Sequence, residues 1–166
     1  MTLPEAGQDD VEVVQVERSV QLDAPVEDVW RSLSHLRELG DWLGLDIEGD
    51  PDRPLEPGHA ARAVEPDGSV RHLLVSVVDD HQRVAWHWWR DDGELSAVQI
   101  TVEPASAGSP GSGSVVRVTE TLALAGAGAG GRVALARVGR LDDEWAGALG
   151  ALGDHLARKL GVCRPR

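Results

Sequence analysis

The chain has 166 residues, of which 42% are hydrophobic and 27% charged, and its net charge is −12 at pH 7. One domain of this size can fold without a metal or a disulfide. The negative charge argues against nucleic acid and anionic membranes as partners, because both would repel it. The single cysteine, Cys163, cannot form an internal disulfide, and there is neither a signal sequence nor an apolar run of about 18 residues for a membrane span. We therefore expect one cytoplasmic domain.

The N-terminal part predicts a strand followed by two short helices. Residues 1–10 are polar and are expected to form a disordered tail. Residues 11–22 are rich in β-branched side chains that alternate with polar ones, which is typical of a strand. Pro25 suits a first helical turn, and 26–33 carries apolar residues at i, i+3, i+4 and i+7. Residues 36–43 indicate a second short helix.

The central part predicts consecutive antiparallel strands joined by tight turns. Asp and Gly in the turns at 66–68, 79–81 and 91–93 are typical of hairpins. The candidate strands cover 59–65, 70–78, 82–90, 94–103 and 114–122. Two segments of small residues, 105–113 and 123–131, are expected to be mobile loops.

The C-terminal part predicts a helix of about 18 residues. Three acids at 142–144 open it and basic residues close it, which complements the helix dipole. One apolar face follows from the spacing of Trp145, Leu149, Leu152, Leu156 and Leu160. The helix propensity is lowered by Gly147, Gly150 and Gly153, so we expect the helix to depend on packing against the sheet. These small residues would also leave room for a ligand.

Several motifs resemble those of one superfamily. They are Leu22-Asp-Ala-Pro-Val-Glu-Asp-Val-Trp30, Leu39-Gly-Asp-Trp42, Pro57-Gly58, Asp79, Arg83-Val-Ala-Trp-His-Trp88 and Val98-Gln-Ile-Thr-Val-Glu103. From Val13 to Leu160 the chain resembles the SRPBCC, or START-like, helix-grip superfamily. The bacterial proteins similar to the C-terminal domain of the activator of heat-shock protein 90 ATPase are the nearest in pattern, and polyketide cyclases are relatives. The Ala/Gly stretch at 123–131 departs from the pattern.

The resemblance implies a fold and a kind of site. The fold is α+β, with a curved antiparallel sheet of about six or seven strands wrapped around a long C-terminal helix and two short helices after the first strand. It would form a single START-like domain over 11–162. The site would be an internal hydrophobic cavity for lipids, polyketides or other apolar metabolites.

Strand alternation selects the side chains that would face such a cavity. Trp86 and Trp88 share one face of their strand because successive side chains point to opposite sides. The predicted lining is Trp30, Trp42, Trp86, Trp88, Val98, Ile100, Val118, Glu120, Trp145, Leu149 and Leu152. The tryptophans either offer flat surface for stacking an apolar ligand or fill the core of a chain without Phe and Tyr.

Glu120 continues the inward face of its strand, which would bring a carboxylate to the cavity. Such a group needs a hydrogen-bonding partner. It could orient a polar group of a ligand or act as a general acid or base, and the alternative is a strand-end carboxylate that is exposed or paired with arginine. Asp46 and Glu48 are open to the same alternatives.

Other candidate sites lack the context that their chemistry requires. His72 and His87 lie on neighbouring strands, but no third zinc ligand converges on them, and we expect no metal. Residues 126–131 match the spacing of a dinucleotide loop without its βαβ unit, and we expect no cofactor. Trp89 falls on the outer face, either as an isolated exposed aromatic or as the contact of a homodimer.

The leading functional prediction is non-catalytic binding of a small apolar molecule, because no nucleophile, base and oxyanion donor converge in the sequence. No catalytic residue is assigned. One alternative is a polyketide-type cyclase, aromatase or hydrolase in which Glu120 or a cavity histidine moves protons. The other is a chaperone- or regulator-interacting protein that works through its surface.

Overall fold

The computed structural model describes residues 12–91, 93, 95–106, 113–124 and 131–161. The tail predicted for 1–10, Cys163 and most of the loops predicted at 105–113 and 123–131 lie outside these ranges. Within them, the elements follow in the order β1 (Glu12–Leu22), α1 (Val26–Ser34), α2 (Leu36–Leu43), β2 (Asp46–Ile47), β3 (Ala60–Val64), β4 (Val70–Asp79), β5 (Arg83–Trp89), β6 (Ser96–Pro104), β7 (Ser114–Leu124) and α3 (Gly131–Lys159).

The strands form one curved antiparallel sheet in the order β1-β7-β6-β5-β4-β3-β2. Sequential strands from β2 to β7 are neighbours, as the short turns between β3 and β6 require for those four, and β1 pairs with β7. The register places Trp86 opposite Val98 and Val98 opposite Glu120, so these three side chains form one row on the inner face. The sheet, the two short helices and the long C-terminal helix confirm the predicted helix-grip α+β fold.

The inner face of the sheet and the apolar faces of all three helices form the core. Trp145, Leu149, Leu152 and Leu156 of α3 are buried there, as the spacing predicted. Leu160 was expected on the same face but is exposed, because α3 ends at Lys159. In the described ranges, no helix combines the length and the apolar character that a membrane span requires.

Helix α3 begins eleven residues earlier than the sequence indicated, at Gly131 rather than at the acids of 142–144. Asp142 therefore does not serve the N-terminal end of the helix dipole. Its carboxylate accepts two hydrogen bonds of 2.6 Å from the Arg18 guanidinium of β1. The early part of α3 also packs Val138 and Leu141 against the sheet residues Val14 and Leu122, which stabilises the helix through tertiary contacts that local propensity does not report.

Strand β2, which the sequence did not predict, places the two acids that follow Trp42 at the surface. Asp46 is exposed and lies opposite Val64 of β3. Glu48 follows β2 and accepts a hydrogen bond of 2.7 Å from Arg62 at the surface. Neither carboxylate reaches the interior.

Candidate functional site

Glu120 is the buried polar centre of the molecule. Its side chain is only 3% exposed, and β7 holds it on the inner face beside β6. Its Oε1 accepts hydrogen bonds from Trp88 Nε1 at 2.8 Å and Ser96 Oγ at 2.6 Å, and its Oε2 accepts one from Trp145 Nε1 at 2.6 Å. An indole N–H can only donate, so both oxygens are held as acceptors in a fixed orientation.

Trp88 links this centre to a cation. Its ring stacks with that of Trp145, with centroids 6.0 Å apart, and the Arg71 guanidinium lies 4.1 Å from the Trp88 ring centroid. This is a cation–π contact, which is stronger where water is excluded. Burial lowers the pKa of Arg71 from its ordinary value, and the charge of Glu65 opposes that effect. An arginine nevertheless remains charged at neutral pH.

Glu65 holds the arginines on this side of the sheet. It accepts a hydrogen bond of 2.9 Å from Arg71 and two from Arg90, at 2.8 and 2.6 Å. Burial alone would raise the pKa of Glu65, but the hydrogen bonds from Arg90 and Ser69 outweigh it, so this pKa lies below its ordinary value. The carboxylate therefore remains available to neutralise both guanidinium groups over the physiological range.

A cavity of about 450 Å³ lies between α2, α3 and the inner face of the sheet, and we call it the apolar cavity. Trp88, Glu120 and Arg71 close it on the sheet side. The helices and the turn after α2 contribute Trp42, Leu43, Leu45, Trp145, Gly147 and Ala148. The turn follows from Gly44, whose φ of 71° ends α2 in the left-handed region and brings Leu45 back toward the helix.

The predicted lining residues fall into two groups. Four of them line the apolar cavity: Trp42, Trp88, Glu120 and Trp145. The other seven are buried in the hydrophobic core, away from its wall: Trp30, Trp86, Val98, Ile100, Val118, Leu149 and Leu152. Trp42 is fixed by its indole N–H, which donates to the Ser32 carbonyl at 2.9 Å.

Among the charged residues that line the apolar cavity, sequence reasoning predicted Glu120 and missed Asp41, Glu65, Arg71 and Glu144. Arg71 has the same strand parity as buried Leu73 and Val75, so alternation could have identified it as an inward arginine. Glu65 lies beyond the end of β3, where no pattern sets the direction of its side chain.

A second cavity, of about 310 Å³, lies beside the first and nearer the start of α3, and we call it the arginine-lined cavity. The two cavities share Arg71, Trp88, Glu120 and Glu144 in their walls. The remaining wall of the second one includes Arg90, Arg137 and Arg140.

The outer face differs in detail from the sequence interpretation. Trp89 is half-buried rather than exposed, and its ring stacks on His72 with centroids 5.6 Å apart. His72 lies opposite Trp89, whereas His87 lies opposite Leu74, and His72 Nε2 is 2.8 Å from Asp91. No group of three or more potential metal ligands occurs in the part of the chain that the structure describes.

Solved structures confirm the fold. DynU16, a protein from the dynemicin biosynthetic locus, is 22% identical with a TM-score of 0.65, and the match covers 86% of this chain and 46% of DynU16. The chain therefore spans about half of that protein. The Aha1 dimer from Colwellia psychrerythraea is 17% identical (TM-score 0.62, covering 86% and 96%). Norcoclaurine synthase from Thalictrum flavum is 16% identical (TM-score 0.63, covering 93% and 97%).

Sequence comparison gives the family. No curated protein sequence matches the chain significantly. The family described as "Polyketide cyclase / dehydrase and lipid transport" matches residues 13–157, which is most of the chain and agrees with the SRPBCC resemblance. The protein therefore belongs to the polyketide cyclase/dehydrase and lipid transport family.

Proposed function

We propose that the protein binds a small, largely apolar molecule in the apolar cavity. The observation that carries the proposal is its wall, to which Trp42, Trp88 and Trp145 all contribute. Cavities for small molecules commonly measure about 300–1,000 Å³ and have apolar, aromatic walls with a few polar groups. The volume here is about 450 Å³. The family description, which includes lipid transport, supports the same function.

The hydrogen bonds of Glu120 favour binding over catalysis. Three donors already point at its carboxylate, two of them indole N–H groups that cannot accept a proton in return. Among the described residues that line the apolar cavity, none is a serine, cysteine or histidine. A nucleophile with a neighbouring base, which covalent catalysis requires, is therefore not assembled there.

One observation supports cyclisation as the second candidate function. Glu120 lines the cavity, and its Oε2 accepts a single hydrogen bond, from Trp145. A carboxylate oxygen has room for a second partner, so a ligand hydroxyl or enol could bond to it. In that case Glu120 would carry a proton during ring closure. The cyclase in the family description agrees with this alternative.

Two glycines of α3 provide a matched test of the leading proposal. Gly147 lines the apolar cavity and Gly150 does not, and a Cβ at either position would meet no atom within 4 Å. We expect wild-type protein to bind the neutral probe N-phenyl-1-naphthylamine, measured by calorimetry and by its fluorescence. Gly147→Leu should reduce the affinity about tenfold or more by filling the cavity, whereas Gly150→Leu should leave it unchanged. Equal affinities for all three proteins would place the bound probe outside the cavity and contradict the proposal.

Native mass spectrometry of freshly purified protein identifies the chemical class of the natural ligand. A retained apolar molecule that is present in wild-type and Gly150→Leu protein and absent from Gly147→Leu protein would identify the natural ligand. Turnover of that molecule would then favour the cyclase alternative, and its recovery unchanged would favour transport or storage.

A further inference from the structure

The arginine-lined cavity brings several guanidinium groups together. Its wall includes the arginines at 71, 90, 137 and 140 together with Glu120 and Glu144. Glu65 supplies one more carboxylate, through its hydrogen bonds to Arg71 and Arg90. Arg71 and Arg90 are thus paired with Glu65, and the charges of Glu144 and Asp67 also act on Arg90. An anionic group that enters the cavity would meet this cluster of guanidinium groups.

The charged side chains of this cavity differ in whether they already form hydrogen bonds or ion pairs within the protein. Glu120 accepts its three hydrogen bonds from neutral donors, and its charge acts on Arg71. Arg140 is exposed on α3 and forms no ion pair with any other described residue. A guanidinium binds a carboxylate, sulfonate or phosphate through two parallel hydrogen bonds, and such charge-assisted bonds are stronger than neutral ones. Among the described residues, no carboxylate therefore occupies the donors of Arg140, and a ligand could accept from them.

The position of this cavity next to the apolar one defines the shape of the ligand. Both cavities have Trp88, Glu120, Arg71 and Glu144 in their walls. A molecule whose apolar body lies against Trp88 and Trp145 would extend along α3, and its other end would reach the arginines.

We propose that the ligand is amphipathic, with an apolar body in the apolar cavity and an anionic terminus in the arginine-lined cavity. This inference rests on the proposed function and adds the charge of the ligand to it. The recognised group is an anion with two or more oxygens that can accept from guanidinium N–H groups.

A pair of probes that differ by one sulfonate tests this inference. 1-Anilinonaphthalene-8-sulfonate is the anionic counterpart of N-phenyl-1-naphthylamine, and calorimetry measures both affinities. We expect the anion to bind about tenfold more tightly at low salt, and the preference should shrink as salt rises because ions screen it. Arg140→Gln should reduce the preference about threefold. Arg31→Gln removes the same charge from α1, which lines neither cavity, and should leave the preference intact.

The outcomes separate this inference from the function on which it rests. Equal affinities for the two probes, or a preference that Arg140→Gln and Arg31→Gln change equally, would overturn the anionic terminus while leaving the apolar cavity in place. Binding of N-phenyl-1-naphthylamine that Gly147→Leu does not weaken would overturn the proposed function itself. Competition with dodecanol, dodecanoate and dodecyl phosphate then tells a carboxylate from a phosphate terminus. If dodecanol competes as well as both anions, the inference is wrong.

Discussion

Trp88 and Trp145 stack on each other, and their indole N–H groups donate to different oxygens of Glu120. One tryptophan belongs to β5 and the other to α3, so the shared carboxylate connects the sheet to the helix that covers it. Both rings also line the apolar cavity. The same three side chains therefore hold α3 in place and form the wall that a ligand would contact.

Replacing Glu120 with glutamine should destabilise the protein. The carboxylate provides an acceptor at each end, whereas an amide has one oxygen, so one indole N–H would face an NH₂ group. A buried donor left without an acceptor costs about 1–3 kcal/mol. Urea unfolding of Glu120→Gln should show a loss of that size, and Glu103→Gln, at an exposed position of β6, should be close to wild type. Equal stabilities of the two variants would mean that water or a rearranged side chain replaces the lost acceptor.

This expectation changes how the cyclase alternative must be tested. A loss of turnover in Glu120→Gln could arise from a loosened wall as well as from a missing proton carrier. Trp145→Phe loosens the same network and keeps the carboxylate. Turnover that survives in Trp145→Phe and is lost in Glu120→Gln would support proton transfer by Glu120.

Two tryptophan-to-phenylalanine variants should differ although they remove the same atoms. Trp145→Phe deletes a donor that Glu120 uses, at 2.6 Å. The indole nitrogen of buried Trp86 has no hydrogen-bond partner among the described residues, so Trp86→Phe removes a donor that is already unsatisfied. Beyond the shared loss of packing, Trp145→Phe should cost about 1 kcal/mol more in the free energy of unfolding. Thermal and urea unfolding measure the difference, and a larger loss in Trp86→Phe would contradict it.

The strands could be predicted because one face of each must be apolar. Val84, Trp86 and Trp88 alternate with less buried residues, and β5 spans Arg83–Trp89, within one residue of the predicted bounds at both ends. Turn residues then fixed the hairpin order, since two consecutive strands joined by a short turn can only pair antiparallel.

The depth of each residue within the inner face could not be predicted in the same way. Trp86 and Trp88 have identical parity, yet Trp86 is fully buried in the core and Trp88 lines the cavity. The position of α3 decides which inner residues are covered, and that position depends on long-range contacts such as Arg18 with Asp142. For the same reason, alternation could suggest that Glu120 points inward but not that two indoles would bind it.

Acid should weaken the contact between α2 and α3. Glu38 of α2 accepts a hydrogen bond from Lys159 of α3, and His155 Nε2 lies 3.4 Å from the same oxygen. Burial by itself raises the pKa of Glu38, but the bonds and positive charges of Lys159 and His155 outweigh it, so this pKa lies below its ordinary value. Its contribution to stability is therefore complete above the unfolded carboxylate pKa of about 4.3 and is lost as the pH falls through the folded-state value.

Glu38→Gln should flatten this part of the stability profile. The measurement is the free energy of unfolding by urea between pH 7 and pH 3. Wild type and Glu103→Gln should lose stability in parallel as the pH falls from the unfolded carboxylate pKa through the folded-state value of Glu38, and Glu38→Gln should lose less. A Glu38→Gln profile parallel to that of wild type would show that other carboxylates account for the acid sensitivity.

Gly40→Ala should destabilise the protein although alanine is the better helix former. A Cβ at Gly40 would lie 2.6 Å from the Leu45 carbonyl oxygen, which is far inside van der Waals contact. The turn would have to move, and overpacking of this kind costs about 1–3 kcal/mol, more than the roughly 0.5–1 kcal/mol that removing a helix glycine gains. Since Leu43 and Leu45 line the apolar cavity, the affinity for N-phenyl-1-naphthylamine should fall as well. Gly150→Ala, which meets no atom within 4 Å, should stabilise the helix and keep the affinity. A stabilised Gly40→Ala protein would show that the turn after α2 yields easily and does not hold the cavity in shape.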